Sequence, residues 1–326
     1  MCGFAGFIGF NNFSKDQVGA IAVDMSDAIF HRGPDDFGIW RDESSELALI
    51  HRRLSILDLS KAGHQPMASA SGRFVIAYNG EIYNHNDLRI KLKVKMDWKG
   101  GSDTETLLAL IEANGVTAAL GQIVGMFAFA LWDRKEKSLY LVRDRIGEKP
   151  LYYGWQKGTF LFGSELKTLK AHPSFDGDVD RGSIALQLRH NCIPAPYSIY
   201  KGIKKLLPGT FLKLSEDNKG TFARELPKPQ RYWSFSDAVK NGIEDHFVGS
   251  ESAAITELDR LLSRSVREQM VADVPLGAFL SGGVDSSLVV ALMQKQTSVP
   301  IKTFSIGFNE SGYDEAIYAK EVANHL

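Results

Sequence analysis

The residues that could carry chemistry in this chain begin at Cys2, directly after the initiator methionine. A small second residue such as cysteine permits removal of the methionine, which would leave a thiol and a free α-amine on one residue. The amine, whose ordinary pKa is about 7.7, can accept the proton of a thiol whose ordinary pKa is about 8.5. Cys2 therefore predicts a nucleophile that carries its own base. The alternative is that Cys2 is a small buried apolar residue, as cysteines near a terminus commonly are.

A second candidate site lies at residues 280–287, where the sequence reads LSGGVDSS between a predicted strand and a predicted helix. Two glycines let backbone N–H groups turn toward an anion, and the helix N-terminus adds its dipole. The chain has no Gly-Lys-Ser/Thr sequence, so this is not the Walker phosphate loop. Asp285 would repel a phosphate unless Mg²⁺ lay between them. The alternative is a glycine turn capped by Ser281.

Three further positions each admit a catalytic and a structural interpretation. The Asn79-Gly80 pair could form an oxyanion hole, but taken alone it favours a type I′ hairpin turn. Arg53 could hold a carboxylate through paired hydrogen bonds, or form a structural ion pair. Asp103 could bind an amine, or cap the helix predicted to begin at Thr104.

A loop that contains Arg32 and the Gly33-Pro34 pair could close over a site as a lid, or could form a simple turn. The apolar pattern around it predicts an α+β domain, layered, to about residue 210. The predicted helices cover residues 15–30 and 104–113, with Ser102 or Asp103 as N-cap of the second, and the predicted strands cover residues 4–10, 47–57, 74–83, 126–132, 138–143, 150–155 and 159–163.

The second part of the chain has a different pattern. Residues 215–250 are polar and rich in helix breakers, which predicts a connector with some order around Tyr232 and Trp233. Beyond it, alternating helices and buried strands predict the opening of a parallel α/β sheet, which we expect to be truncated. The strands are predicted at residues 274–280 and 301–308, and the helices at residues 255–270, 288–293 and 314–326.

The composition excludes several classes of protein. The 326 residues are 44% hydrophobic and 24% charged with a net charge of −1, which is typical of globular domains and argues against a nucleic-acid partner. The two cysteines, Cys2 and Cys192, form no disulfide framework, so a reducing cytoplasm is expected. No apolar run approaches the ~20 residues of a membrane span, and no signal peptide is recognised.

Taken together, these segments resemble the glutamine-hydrolysing asparagine synthetase family. The first half of the chain resembles a class II glutamine amidotransferase domain of the N-terminal-nucleophile hydrolases, and the remainder resembles the start of the synthetase domain. The matching stretches are MCGFAG at residues 1–6, HRGPD at 31–35, HRRLSI at 51–56, GHQPM at 63–67, YNGEIYN at 78–84, SDTE at 102–105 and RDRIG at 143–147, followed by the loop at 280–287.

The resemblance implies an αββα sandwich over residues 2–212, a connector over 213–250, and the truncated start of a Rossmann-like, PP-loop parallel sheet over 251–326. In the first domain Cys2 would be the nucleophile, with Asn79 and Gly80 as the oxyanion hole. The glutamine pocket would be completed by Arg53 at the α-carboxylate, by Asp103 and the backbone near Glu81 at the α-amine, and by Leu54, Ile56 and Leu57 as lining residues.

ATP and Mg²⁺ are the cofactors that the resemblance implies for the second domain. Ammonia released at Cys2 would amidate a carboxylate that ATP has activated as an acyl-adenylate, with aspartate as the expected acceptor. The nucleotide would be contacted by Leu280 and Ile306, its pyrophosphate would be held by Ser281, Gly282, Gly283, Asp285 and Ser286, and Asp285 would reach Mg²⁺.

Two alternatives to aspartate amidation stay open, and a homodimer is possible in either case. Residues 93–101 resemble relatives associated with surface-polysaccharide clusters, which indicates that another carboxylate could be the acceptor. A non-catalytic binding or regulatory protein could also keep this fold. A non-catalytic protein would be favoured if catalytic groups had been lost. Cys2, Asn79 and Asp103 are all present.

Overall fold

The computed structural model describes residues 2–9, 13–92, 97–217, 222–223, 225–310 and 314–326. The chain divides into two compact units, residues 1–241 and residues 242–326. Met1, whose removal was predicted, and Phe10 of the first predicted strand lie outside the described residues.

The first unit is built mainly from antiparallel strands. Its strands are β1 (Gly3–Ile8), β2 (Asp36–Asp42), β3 (Leu47–Arg53), β4 (Met67–Ala68), β5 (Phe74–Ile82), β6 (Gly125–Asp133), β7 (Ser138–Arg143), β8 (Tyr152–Gln156), β9 (Thr159–Gly163), β10 (Ile203–Lys205), β11 (Thr210–Ser215) and β12 (Gln230–Arg231). Its helices are α1 (Lys15–Asp27), α2 (His85–Lys91), α3 (Asp103–Asn114), α4 (Val116–Gln122), α5 (Leu166–Lys170) and α6 (Arg181–His190), and α7 (Phe235–Glu244) crosses the division between the units.

These strands form two six-stranded sheets, in the orders β10-β8-β9-β1-β3-β2 and β12-β11-β7-β6-β5-β4. A central core between the sheets contains Phe4 and Leu49 from the first sheet and Trp132 from the second. Helix α1 packs on the outer face of the first sheet, and α3 and α4 pack on the outer face of the second. The order of layers is therefore helix, sheet, sheet, helix, which confirms the predicted αββα sandwich.

Strand β1 lies in the middle of the first sheet because its side chains are apolar on both faces. Phe4 and Ile8 point into the central core, while Ala5 and Phe7 point toward α1, as expected from the two-residue period of a strand. A Cβ at Gly6 would lie 2.2 Å from the ring of Phe162, so the glycine lets neighbouring chains pack closely. This buried strand fixes the position of the residue before it, Cys2.

The prediction of a turn at Asn79-Gly80 is wrong. Strand β5 runs without interruption through both residues, which pair with Ala128 and Phe127 of β6. A Cβ at Gly80 would lie 2.2 Å from the carbonyl oxygen of Met126. The glycine is thus required by close packing within the sheet and not by a reversal of the chain.

The segment predicted as a connector contains parts of the first unit. Strand β11 continues past residue 212 to Ser215, and β12 pairs with it. The Tyr232 hydroxyl donates a 2.8 Å hydrogen bond to the carbonyl of Arg143 at the end of β7. Side-chain anchoring of this kind explains why a polar, breaker-rich sequence is ordered around Tyr232.

The second unit contains a parallel pair of strands, β13 (Gly277–Phe279) and β14 (Lys302–Phe304), with helices α8 (Glu251–Gln269), α9 (Val284–Lys295) and α10 (Ala316–His325). The parallel pairing agrees with the predicted sheet, but the strands are shorter than predicted. The prediction that they are buried throughout is wrong, since Phe279 is 81% exposed and Ile306 is 70% exposed. The small cluster of Leu280, Val290 and Ala319 covers only part of their surface. Of the helices in the described ranges, none combines the length and apolar character needed to cross a membrane.

Candidate active site

One cavity of about 240 Å³ in the first unit brings together all nine residues that were assigned to glutamine hydrolysis. These residues are Cys2, Arg53, Leu54, Ile56, Leu57, Asn79, Gly80, Glu81 and Asp103. The cavity is also lined by residues to which no role was assigned, namely Gly63, Gln65, Tyr78, Ser102, Thr104, Met126 and Lys149. The roles of the nine remain predictions, but their convergence provides a single place where they could act together.

Cys2 directly precedes β1, and its thiol lies against the backbone of Leu54. The Leu54 N–H donates to Sγ at 3.4 Å, and Sγ lies 3.5 Å from the Leu54 carbonyl oxygen. Burial raises the pKa of the Cys2 thiol, while the Leu54 hydrogen bond and the charge of Arg53 lower it. A buried thiol with a raised pKa is largely protonated at neutral pH, so it needs a base to become a nucleophile.

Asn79 presents a buried hydrogen-bond donor without a partner. Its side chain is almost fully buried in β5, and Nδ2 has no hydrogen-bond partner among the described residues. An unpaired buried amide costs free energy, and such groups occur where a ligand or reaction intermediate supplies the missing partner. This donor is of the type that stabilises a developing oxyanion.

Arg53, at the end of β3, organises the loop that follows it. Its guanidinium donates to the carbonyls of Leu57 at 3.2 Å and Ser60 at 3.1 Å, and also to the carbonyl of Asp58. A Cβ at Gly63 would lie only 1.9 Å from Nη2 of Arg53, so the glycine makes room for the guanidinium. The same arginine thus lines the cavity and holds in place the loop that carries three of the predicted lining residues.

Asp103 is buried as the first residue of α3, and the helix is capped by its neighbour. Ser102 accepts the N–H of Glu105 at 3.3 Å, so the capping function belongs to Ser102. Oδ2 of Asp103 instead accepts hydrogen bonds of 2.8 Å from the Tyr78 hydroxyl and from the Ile82 N–H. Burial raises the pKa of Asp103, and these two hydrogen bonds lower it.

Glu81 adds a second carboxyl group to this end of the cavity. Burial and the charge of Asp103 raise the pKa of Glu81, while Lys149 lowers it. Lys149 is itself buried, which lowers its pKa, although the charge of Glu81 opposes that shift. An ammonium group placed beside these two carboxyl groups would favour their ionised forms.

Five of the seven unassigned lining residues lie in the matching stretches and could have been found from the sequence, namely Gly63, Gln65, Tyr78, Ser102 and Thr104. Gln65 and Thr104 lie in matching stretches, and the structure joins them through a 3.4 Å hydrogen bond from Nε2 of Gln65 to the Thr104 hydroxyl. Gln65 also accepts the N–H of Tyr78 at 2.7 Å. Lys149 lies two residues beyond a matching stretch, and no local signal indicated that it would be buried beside Glu81.

Arg32, in the segment that could form a lid, lies against the start of β1. Its Nε donates a 2.9 Å hydrogen bond to the Cys2 carbonyl, and Nη1 donates one of 2.7 Å to Glu165. A Cβ at Gly3 would lie 2.9 Å from Cδ of Arg32, so the absence of a side chain at Gly3 makes room for the arginine. Arg32 therefore contacts the residue that carries the nucleophile.

The loop of the second unit has the form of an anion site. Gly282 has a φ of +81°, which favours glycine, and Gly283 is the N-cap of the twelve-residue helix α9. The hydroxyls of Ser281 and Ser286 lie 3.0 Å apart, and that of Ser287 donates to the Gly283 carbonyl at 2.7 Å. Backbone N–H groups at a helix N-terminus bind phosphate groups in proteins, and the nearby hydroxyls of Ser281 and Ser286 can add donors, so this loop fits a pyrophosphate.

The predicted nucleotide residues divide between two cavities that share Ser281. Leu280, Ser286 and Ile306 line a cavity of about 530 Å³, and Gly282 and Gly283 line one of about 580 Å³. Asp285 lies in the first turn of α9, exposed, and lines neither. In the part of the chain that the structure describes, no group of three His, Cys, Asp or Glu residues could hold a metal ion. The phosphate donors are therefore assembled, whereas Mg²⁺ would have Asp285 as its single predicted protein ligand.

Two family models match the chain. Residues 1–233 match the glutamine amidotransferase domain, and residues 257–326 match asparagine synthase. Asparagine synthetase [glutamine-hydrolyzing] 1 of Bacillus subtilis is 35% identical over 100% of this chain, and asparagine synthetase [glutamine-hydrolyzing] 3 of the same organism is 34% identical over 95%. The chain spans about half the length of these curated relatives, 49% of each.

Among solved structures, glutamine phosphoribosylpyrophosphate amidotransferase from B. subtilis complexed with ADP and GMP has a TM-score of 0.50. It is 16% identical, and the match covers 96% of this chain and 68% of the other. At that identity the similarity shows a shared fold alone. The two family models cover the cavity at Cys2 and the loop at Ser281. With the similarity of the chain to the curated relatives, they establish that it belongs to the glutamine-hydrolysing asparagine synthetase family.

Proposed function

We propose that the first unit hydrolyses glutamine at Cys2 and that the ammonia is used to amidate a carboxylate in an ATP-dependent reaction. The observation that carries the proposal is the cavity in which a buried thiol, an unpartnered amide donor, an arginine and two carboxyl groups meet. A non-catalytic protein would have no need to keep this set of groups together.

The chemical step begins when Met1 has been removed and the α-amine of Cys2 takes the thiol proton. The thiolate attacks the carboxamide carbon of glutamine, and the negative oxygen accepts hydrogen bonds from Nδ2 of Asn79 and the Gly80 N–H. Ammonia leaves with the proton returned by the amine, and a γ-glutamyl thioester remains on Cys2. Water then hydrolyses the thioester to glutamate and restores the thiol.

Charge complementarity supports the choice of glutamine. The guanidinium of Arg53 suits an α-carboxylate, and the carboxyl groups of Asp103 and Glu81, which line the same cavity, suit an α-ammonium group. An amino acid whose side chain reaches Cys2 from these two anchors would present its amide carbon to the thiol. Leu54, Ile56 and Leu57 would contact its apolar methylene groups.

For the second unit we propose binding of ATP, with the adenine near Leu280 and Ile306 and the pyrophosphate at the serine and glycine loop. Mg²⁺, held by Asp285 and the phosphates, would neutralise charge on the pyrophosphate. Aspartate is the proposed acceptor because the family model and the relatives are described as asparagine synthases. Another carboxylate stays the second candidate because residues 93–101 resemble polysaccharide-associated relatives.

The test of the first half uses diazo-oxo-norleucine, a glutamine-analogue electrophile, and intact-mass measurement of the full chain. We expect a species that lacks Met1 and carries one adduct on Cys2, and we expect glutaminase activity that Cys2→Ala abolishes. Cys192, which is exposed, provides the matched control: Cys192→Ala should label and turn over as the native chain does. Full glutaminase turnover in Cys2→Ala would refute the proposal.

The test of the second half measures pyrophosphate release with ATP, Mg²⁺, glutamine and one carboxylate at a time. Aspartate-dependent release that Ser281→Ala and Ser286→Ala reduce would support asparagine synthesis. If pyrophosphate is released with a different carboxylate and not with aspartate, that carboxylate is the acceptor and the proposal of aspartate is refuted. For the assembly we propose a homodimer, which light scattering of the same sample would test.

A further inference from the structure

Arg52 and Arg53 are neighbours on β3, and their side chains serve opposite faces of the sheet, as successive strand residues do. Arg53 lines the glutamine cavity, whereas the Arg52 guanidinium lies between two aromatic rings. Its Cζ is 5.1 Å from the ring centroid of Phe30 and 4.8 Å from that of Phe37. Arg52 is buried although each of these rings is half exposed.

The same guanidinium binds the end of α1. It forms an ion pair with Asp27, and its Nε donates a 3.3 Å hydrogen bond to the carbonyl of Ser26. Asp27 and Phe37 lie at the two ends of one segment, residues 27–37, and Phe30 lies within it. A single buried side chain thus contacts both ends of the segment, and the end at Phe37 is also held by its pairing with Arg52 in the β2–β3 ladder.

This clamped segment carries Arg32, whose Nε donates to the Cys2 carbonyl. The backbone of the segment follows β3 closely, because Gly33 has no room for a Cβ, which would lie 2.4 Å from the Arg52 carbonyl carbon. The Asp35 N–H donates to the Arg53 carbonyl at 3.0 Å. On β1, Gly3 pairs directly with Arg52. The segment, the strand that bears the nucleophile and Arg52 are therefore in mutual contact.

We propose that Arg52 is a positioning residue for the nucleophile. By holding residues 27–37 against β3 it fixes Arg32, and the hydrogen bond from Arg32 to the Cys2 carbonyl sets the direction in which the thiol points. The inference rests on the proposed hydrolysis of glutamine at Cys2. The Arg53 guanidinium, which would bind the substrate, is held by carbonyls of residues 57–60, and the Asp103 carboxyl is held by Tyr78 and Ile82. None of these partners lies in residues 27–37, so we expect the effect of Arg52 on turnover and not on glutamine binding.

The experiment compares Arg52→Met with Arg73→Met. Arg73 is the matched control, since it also stacks on an aromatic ring, Phe74 at 4.7 Å, and pairs with a carboxylate, Asp133 at 2.7 Å, outside the glutamine cavity. Because a misplacement of ~1 Å can cost ~100-fold in rate, we expect Arg52→Met to lower kcat for glutaminase about tenfold with KM within about twofold. Arg73→Met should leave both unchanged.

Two further variants separate positioning from general loss of structure. Arg52→Lys keeps the charge but not the planar stacking, so kcat should fall between native and Arg52→Met. Phe30→Leu removes one ring of the clamp and should also lower kcat without raising KM. A raised KM at native kcat, or equal losses in the Arg52 and Arg73 variants, would overturn the proposal.

Hydrogen exchange makes the clamp testable even if glutamine is not the substrate. The Gly33 N–H donates to the Phe30 carbonyl at 3.0 Å. The rates at which the Gly33 and Asp35 amide hydrogens exchange with solvent therefore report on the clamped segment. We expect both amides to exchange at least tenfold faster in Arg52→Met than in Arg73→Met. A native chain without glutaminase activity would refute the proposed function, whereas unchanged exchange in Arg52→Met would refute the clamp.

Discussion

Gly63 offers a way to displace Arg53 without changing any charged residue. A Cβ at this position would lie 1.9 Å from Nη2 of Arg53. Ordinary van der Waals contact begins at 3.4 Å, so in Gly63→Ala the guanidinium must retreat from 1.9 Å to 3.4 Å, a shift of 1.5 Å. The backbone φ of Gly63 is not positive, so the substitution adds no backbone strain.

A shift of this size is larger than the tolerance of a hydrogen bond, and Arg53 would no longer meet the α-carboxylate of glutamine. A hydrogen bond to a charged group is worth about 1.5–3 kcal/mol, which converts to about 10- to 150-fold in KM at 1.4 kcal/mol for each factor of ten. We expect kcat to stay within about threefold of native, because the guanidinium donates to carbonyls of residues 57–60, whereas the Cys2 thiol contacts Leu54 and Asn79 lies in β5.

The assay is glutaminase activity over a range of glutamine concentrations, with Gly101→Ala as the matched control. A Cβ at Gly101 meets no atom within 4 Å, so this variant should keep the native KM. Thermal unfolding of both variants checks that the comparison is made on folded protein. A native KM in folded Gly63→Ala would refute the assignment of Arg53 to the α-carboxylate.

Three other substitutions test different parts of the first unit. Asn79→Ala removes the unpartnered donor and should lower kcat by about 100- to 1,000-fold with little change in KM, as measured by ammonia release. Tyr78→Phe removes a hydrogen bond that lowers the pKa of Asp103, so the carboxyl should become protonated at a higher pH than in the native chain. Because the protonated carboxyl no longer attracts the α-ammonium group, the KM for glutamine should rise more at about pH 5.5 than at about pH 8 in a pH series. Trp132→Ala empties the core between the sheets and should lower the free energy of unfolding by about 3–5 kcal/mol in urea titration, while a loss below about 1 kcal/mol would contradict the packing.

The sequence predicts the first unit well where local pattern and tertiary packing agree. The continuous apolar run of β1 is one example, and the N-cap of α3, predicted at Ser102 or Asp103 and found at Ser102, is another, because each is decided within a few residues. Asn79-Gly80 is a counterexample, since the dipeptide favours a turn locally but its place inside β5 is decided by pairing with β6. The nine cavity residues were found from motifs, whereas burial of Lys149 beside Glu81 depends on packing between distant segments.

In the second unit the local sequence pattern and the tertiary packing disagree. Apolar runs at residues 274–280 and 301–308 predict buried strands, and the structure forms only three paired residues in each. Burial requires partners, and the cluster around Leu280 and Val290 is small. The motif at Ser281 was predictable because a strand, two glycines and a helix N-terminus are adjacent in the chain.

The position of β1 in its sheet has a consequence for synthesis of the protein. One neighbour of β1 is β3, but the other is β9, and Ala5 pairs with Gly163. During translation at about 5–20 residues per second, the first strand therefore waits on the order of 10–30 s for its last partner to be made. Until then β1 lacks one of its two neighbouring strands, which would leave time for the removal of Met1 that the proposed mechanism requires. The topology thus orders two events in time, so that the terminus could be processed before the sheet closes around Cys2, whose free amine the proposed mechanism uses.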